Sequence, residues 1–299
     1  MRPKSLSILL FFCLSLIFGN SIYAETHIIQ TNEVVVLYKG SNGDIAQEVT
    51  NTYPTVRAEL VGTFGWGVDF IPEVDLVNNR DNFRKMVGNN ITVAFAVPDE
   101  NRIVLDTSTV YTKPFTLKTT LKHELCHILL HRNIEGERLP KWLDEGVCQW
   151  ASEGISELMA SDEGRALTKA TIFNRLISIK ELDRFPVDEH LVILAYEESK
   201  SIVEYIISEF GRPGMLNVLE YLQEGHPIDD AIQKSLSVNT SELEMKWRAY
   251  LRRKYTWFSY FSNNLYTILF FLAAIITVYG FIRLLKKKRA YKDEEEGAN

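Results

Sequence analysis

The sequence contains no internal repeat, no low-complexity segment and no linker rich in proline or serine. A solenoid and a string of flexibly joined modules are thereby excluded. It also lacks a basic excess: residues 25–255 carry 35 acidic and 25 basic side chains, a surface that repels the phosphate backbone of a nucleic acid. Cysteine is scarce, with three in 299 residues. Cys13 lies inside an apolar run, too early for a lipoprotein attachment site, which leaves Cys126 and Cys148. What is present is a globular composition, 46% hydrophobic and 24% charged, with material for one sizeable core or two small ones.

The informative stretch is His123-Glu124-Leu125-Cys126-His127. On a helix, histidines four residues apart share one face, so both imidazoles reach a single metal ion while Glu124 points beside it. A third protein ligand would leave the fourth tetrahedral position to water, which a metal acidifies and a neighbouring carboxylate deprotonates. The local pattern supplies the helix. Phe115 to Arg132 follows Pro114, repeats Leu117, Leu121, Leu125, Ile128 and Leu129 at helical spacing, and contains no glycine or proline. Asn133 to Pro140 reads as a loop and Trp142 to Ser152 as a second helix, which can turn back and present Glu145 as the third ligand. The competing reading is a polar stripe on a surface helix. His131, one turn beyond His127, either approaches the same metal face or is solvated near the helix C-terminus. Cys126 and Cys148 each follow a ligand candidate by three residues, so convergence of the two helices would allow a disulfide, with buried free thiols as the alternative.

His123-Glu124-x-x-His127 together with Leu139-Pro140-Lys141-Trp142-Leu143-Asp144-Glu145-Gly146 resembles the gluzincin branch of zinc peptidases, and within it the peptidase MA-like group. The resemblance implies one catalytic zinc ion on His123, His127 and Glu145, Glu124 as general base, and a peptide or protein substrate. Two departures carry information. Gln149 stands where thermolysin-type relatives have an acidic residue, so histidine orientation falls to another group such as Asp144. The Gly-x-Met-Glu-Asn segment of gluzincin aminopeptidases has no match, which favours an endopeptidase. Ala195-Tyr196 resembles a position where a tyrosine faces the metal; Tyr196 is then either a donor to the developing oxyanion or a packed core side chain. His190 is a second choice for that role, and His226, between Gly225 and Pro227, reads as a loop residue. A metzincin is excluded by spacing, since Leu130 and Asn133 occupy the places of its glycine and third histidine. The rival from another class is a non-catalytic zinc-binding membrane protein that keeps the same fold.

Both ends are set apart from this domain. Arg2 and Lys4 precede the apolar run Leu6 to Phe18, with a cleavage position after Ala24, the pattern of a signal peptide. Phe258 to Ile282 carries no charge, and Leu265 to Ile282 would span roughly 27 Å as a helix. Trp257, Tyr260, Phe261 and Tyr266 flank one end; Arg283, Lys286, Lys287, Lys288 and Arg289 flank the other and stay in the cytoplasm. The expected arrangement is a signal peptide (1–24), a periplasmic or extracellular domain (25–255), a transmembrane helix (256–285) and a cytoplasmic tail (286–299). Lys246, Arg248, Arg252, Arg253 and Lys254 gather just before the span, either meeting anionic lipid or lining a solvated helix face.

The fold expected is α+β: a small N-terminal β-sheet with helices to about residue 113, the zinc-binding helix pair, an α-helical C-terminal half, then one transmembrane helix. Strands are expected at Glu33 to Tyr38 and Val68 to Val77. Ile91 to Pro98 and Arg102 to Asp106 form a hairpin, and helices lie at Asp44 to Phe64, divided or kinked by Pro54, and Asn79 to Val87. Arg102 to Asp106 is either an edge strand, where it would pair with an extended peptide by strand addition, or an ordinary internal strand. Beyond the second ligand helix, helices are expected over Ser156 to Ala166, Asp188 to Phe210 up to Gly211, Met215 to Gln223, Pro227 to Leu236 and Thr240 to Tyr255.

Overall fold

The computed structural model describes residues 25–88, 92–111, 116–153, 165–255 and 265–297. The expected signal peptide, the start of the expected span at Phe258 and most of Ser156 to Ala166 lie outside the described residues. The chain is α+β and divides into two compact units, Met1–Leu129 and Leu130–Asn299, with the division inside helix α3 (Leu117–Asn133).

The first unit holds five strands: β1 (Thr26–Gln30), β2 (Val35–Lys39), β3 (Glu73–Val77), β4 (Ala94–Val97) and β5 (Arg102–Asp106), ordered β1-β2-β3-β5-β4 in the sheet. The two outer pairs, β1 with β2 and β4 with β5, are antiparallel; β2 with β3 and β3 with β5 are parallel. Parallel neighbours need a crossover, and α1 (Gly43–Phe64) connects β2 to β3 while α2 (Arg80–Val87) follows β3. Helix α1 buries Ala46, Val49, Tyr53, Val56, Leu60 and Phe64, one stripe at helical spacing. Pro54 neither divides nor ends it. It sits on the exposed side, where the carbonyl that loses its N–H partner can face water.

The sheet order decides between the two readings of Arg102–Asp106. It is not an edge strand: β5 pairs with β3 on one side and β4 on the other, and Ile103 to Asp106 are buried. Its backbone groups are committed to two ladders, so strand addition there is closed, and β4 is the outer strand beside it. Arg80 anchors this corner, donating from Nη1 to Asp106 Oδ2 at 2.7 Å and to the Thr92 carbonyl at 2.8 Å. Strand β1 was not anticipated. A turn makes it possible, in which Thr31 Oγ1 accepts the N–H groups of Glu33 and Val34 and reverses the chain into β2.

The second unit is helical: α4 (Lys141–Ala151), α5 (Arg165–Ile172), α6 (Glu189–Gln223), α7 (Ile228–Leu236), α8 (Thr240–Lys254) and α9 (Leu265–Gly297). Gly211 breaks α6 internally with φ 76° and ψ 166°, a conformation glycine adopts without penalty, and Pro213 restarts the helix two residues on. Ile202, Val203 and Ile206 before the break and Met215, Val218 and Leu222 after it are buried. Helix α8 begins with Asn239 accepting the Glu242 N–H and packs Trp247 inward, its Nε1 donating to Ser201 Oγ at 3.1 Å. Within α9, Leu265–Lys286 is long and apolar enough to cross a membrane, and none of it is buried.

A buried acid fastens the segment that precedes α6. Glu198 is fully buried and accepts the Ile177 N–H at 3.1 Å. Burial pushes its carboxyl up to about 8, against that hydrogen bond and the Arg248 charge, which pull the other way. Between an unfolded value near 4.5 and a folded value near 8, the folded chain keeps a proton that the unfolded chain has lost. This contribution to stability is therefore complete below about pH 4.5 and is lost as pH rises through 8. Glu198→Gln is expected to match the parent at pH 4 and to exceed it by up to a few kcal/mol at pH 9. Thermal unfolding of both proteins at the two pH values checks this, and a gap that does not widen with pH refutes it.

Candidate metal centre

Helix α3 is not an amphipathic surface helix. Every residue from Leu121 to Leu130 is buried, with leucine and isoleucine interleaved by Lys122, His123, Glu124 and His127, so the polar-stripe reading fails. Charge inside such a helix must be matched. Lys122 finds Glu59 Oε2 at 2.7 Å, and Lys118 takes the other oxygen of the same carboxylate. These two hydrogen bonds hold the Glu59 carboxyl below the usual range.

His123 and His127 stand one turn apart with Nε2 atoms 3.1 Å from each other and rings edge to face at 4.7 Å. Glu124 between them is 2% exposed. Helix α4 begins at Pro140, whose extended conformation and carbonyl start the first turn, accepting the Leu143 and Asp144 N–H groups. It buries everything from Trp142 to Gln149, Glu145 included. Glu145 is buried in turn on its own helix, at 3% exposure. Two imidazoles and a carboxylate are the donor set of a three-ligand zinc site, and their burial supplies the dry surroundings that such a site needs. Cys126 and Cys148 are each disulfide-bonded, so neither is a free thiol.

The second unit adds groups around Glu145. Tyr196, on α6, donates from its hydroxyl to Glu145 Oε1 at 3.3 Å, and its ring meets Phe185 edge to face at 4.9 Å. Gln149 Nε2 donates to the Tyr196 carbonyl at 3.3 Å, so the residue in the unexpected place ties α4 to α6. Asp144, proposed from sequence to orient a histidine, has His131 Nε2 and Lys141 Nζ each 3.3 Å from its Oδ2. His131 is thus held by a carboxylate on α4. His190 is exposed at the start of α6, and His226 lies in the turn between α6 and α7 beside Lys234.

Lys141 was missed from sequence. Its Nζ lies 2.8 Å from Glu145 Oε1, the oxygen that Tyr196 also contacts. Partial burial works against its charge, but the Glu145 and Asp144 carboxylates outweigh this and raise its pKa. The available signal was the spacing: Lys141 and Glu145 are four apart on one helix and therefore neighbours.

Residues 84–253 match the family model of the peptidase MA superfamily. The chain belongs to the peptidase MA superfamily. The match covers the sheet's last hairpin, α3, α4 and the helices up to α8, and so contains both halves of the metal-ligand pattern. No curated protein matches the sequence. Among solved structures, the chain is similar to an M1 zinc metallopeptidase from Deinococcus radiodurans (15% identity, TM-score 0.42, 75% of this chain and 50% of that one). It is also similar to Legionella pneumophila aminopeptidase A in complex with aspartic acid (15% identity, TM-score 0.45, 75% of this chain and 27% of that one). It spans about half the length of the first and about a quarter of the second.

Proposed function

We propose that this member of the superfamily is a zinc-dependent endopeptidase tethered to the outer face of a cell membrane, with His123, His127 and Glu145 as the ligands. The observation that carries the reading is the pair of buried imidazoles one helical turn apart, Nε2 atoms 3.1 Å from each other, on the helix that also buries Glu124. Zinc bound there supplies Lewis acidity that polarises a scissile carbonyl and acidifies a water molecule. Glu124 takes the proton of the attacking water on its carboxylate and delivers it to the leaving amine. Tyr196, whose hydroxyl lies against Glu145, donates to the oxyanion that develops on the substrate. The missing aminopeptidase segment supports internal cleavage of a peptide or protein substrate.

Membrane attachment rests on Leu265–Lys286 and on the basic run that follows it, which keeps the 286–299 tail in the cytoplasm. With the leader at 1–24 removed, the peptidase domain of 25–255 faces the periplasm or the cell exterior. Metal analysis of the purified full chain is expected to give one zinc per molecule, and a zinc chelator to abolish cleavage of a mixed peptide library. Absence of stoichiometric zinc would sink the reading.

A further inference from the structure

The basic residues at the end of α8 are not explained by the metal centre, and the structure shows what surrounds them. Arg252 donates to Asn174 Oδ1 at 3.0 Å, and Arg248 donates to the carbonyls of Leu176 and Ile177. These bonds bring the end of α5 alongside α8. On the resulting face two large apolar side chains are exposed, Phe173 at 46% and Met245 at 64%. Met245 lines an open groove of about 330 Å³ with Ser241, Glu244, Arg248 and Arg252. Arg175 is exposed as well, whereas Lys254 turns to the other side of α8, its Nζ over the Tyr250 ring at 5.7 Å. The two acids of α8 offset two of its cations, Glu242 facing Lys246 at 3.5 Å and Glu244 holding Arg248 at 2.8 Å, and leave the charges of Arg252 and Arg175 to this face.

We propose that this face of α8 and the end of α5 docks on the anionic surface of the bilayer to which the chain is tethered, with Met245 and Phe173 entering the headgroup region. The proposal rests on the membrane anchoring of the preceding section. Nine residues separate Tyr255 from Leu265, a reach of at most roughly 30 Å, and α8 with 15 residues is about 22 Å long. The tether thus keeps the C-terminal end of the helix, where Arg252 lies, within that reach of the lipid surface. Charge selects the orientation: the 25–255 domain has ten more acidic than basic groups, so an anionic surface repels its bulk and attracts this face. Membrane insertion does not call for these cations either. Basic residues close to a span favour the cytoplasmic side, and Arg252, Arg253 and Lys254 would sit on the opposite one.

The test uses the full chain in lipid nanodiscs with Cys13→Ser and a spin label on Met245→Cys; Cys126 and Cys148 are already disulfide-bonded and do not compete for the label. In discs containing about one third phosphatidylglycerol, oxygen is expected to reach the label several-fold better, relative to a water-soluble nickel chelate, than in phosphatidylcholine discs. Addition of R252E and R175E, or of 0.5 M salt, is expected to remove the difference. Equal, water-like accessibility in both lipids overturns the proposal. So does shielding that is the same in both, the mark of a protein partner or a second copy. A chain that does not enter the discs at all overturns the anchoring, and the docking with it.

Discussion

Glu124→Gln is expected to lower kcat for peptide hydrolysis by roughly 10²–10⁴-fold, the usual contribution of a general base, while zinc content and thermal stability stay at parental values. The side chain is buried at 2% exposure between His123 and His127, on a helix buried on every side from Leu121 to Leu130. The amide of glutamine fills the same volume and still accepts a hydrogen bond on one side, so the helix has no reason to repack. What the amide cannot do is hold a proton taken from water. The proposed ligands His123, His127 and Glu145 are untouched by the change, which separates loss of the base from loss of the metal. Steady-state kinetics, metal analysis and a thermal melt on one preparation decide the matter. Unchanged hydrolysis removes Glu124 from the mechanism, and loss of zinc together with activity makes it a structural residue.

The helices were legible in the sequence because their signals are local. Periodic leucines, Pro114 and Pro140 before the starts, and Gly211 at the break all act within a few residues, and the elements that carry His123, His127 and Glu145 follow from them. Sheet order is set by pairing between distant segments, so the hairpin of β4 and β5 was readable while the partner on the other side of β5 was not. That is why the pattern leaves Arg102–Asp106 between edge and interior, and the sheet makes it an interior strand. The burial of α3 was hidden for a different reason. Its Lys118 and Lys122 look like a solvated face until Glu59, some sixty residues earlier, is seen to pair with both. Lys141 was overlooked because a lysine in the first turn of a helix reads as surface decoration. The macrodipole disfavours it there, and its proximity to Glu145 emerges only once α4 is known to be buried on nearly every side.

Gly146→Ala is expected to destabilise the protein by about 3 kcal/mol, a drop in Tm of roughly 6–12 °C for a domain of this size. Two effects oppose each other. In a helix interior alanine is better than glycine by about 1 kcal/mol, and Gly146 is in the middle of α4. Against that, a Cβ at this position would overlap the Ser199 carbonyl oxygen of α6 and lie 2.7 Å from Val203 Cγ2 and 2.8 Å from the Ser199 carbonyl carbon. Two of these three atoms are backbone, and Ser199 is fixed further by its hydroxyl, which donates to the Ala195 carbonyl at 2.7 Å. A side chain could turn away, but a helix backbone must translate, so the overlap outweighs the propensity gain. The contrast is Gly62, also inside a helix, where a Cβ meets nothing within 4 Å; Gly62→Ala is expected to raise stability by about 0.5–1 kcal/mol. Opposite signs in parallel melts would show that the requirement at 146 is the close approach of α4 to α6 and not chain flexibility. Because Glu145 is the adjacent residue and Tyr196 contacts it from α6, forcing the two helices apart is also expected to weaken zinc binding, measured by competition with a chromogenic chelator. A Gly146→Ala protein as stable as the parent would mean that the helices pack less closely than the structure has them.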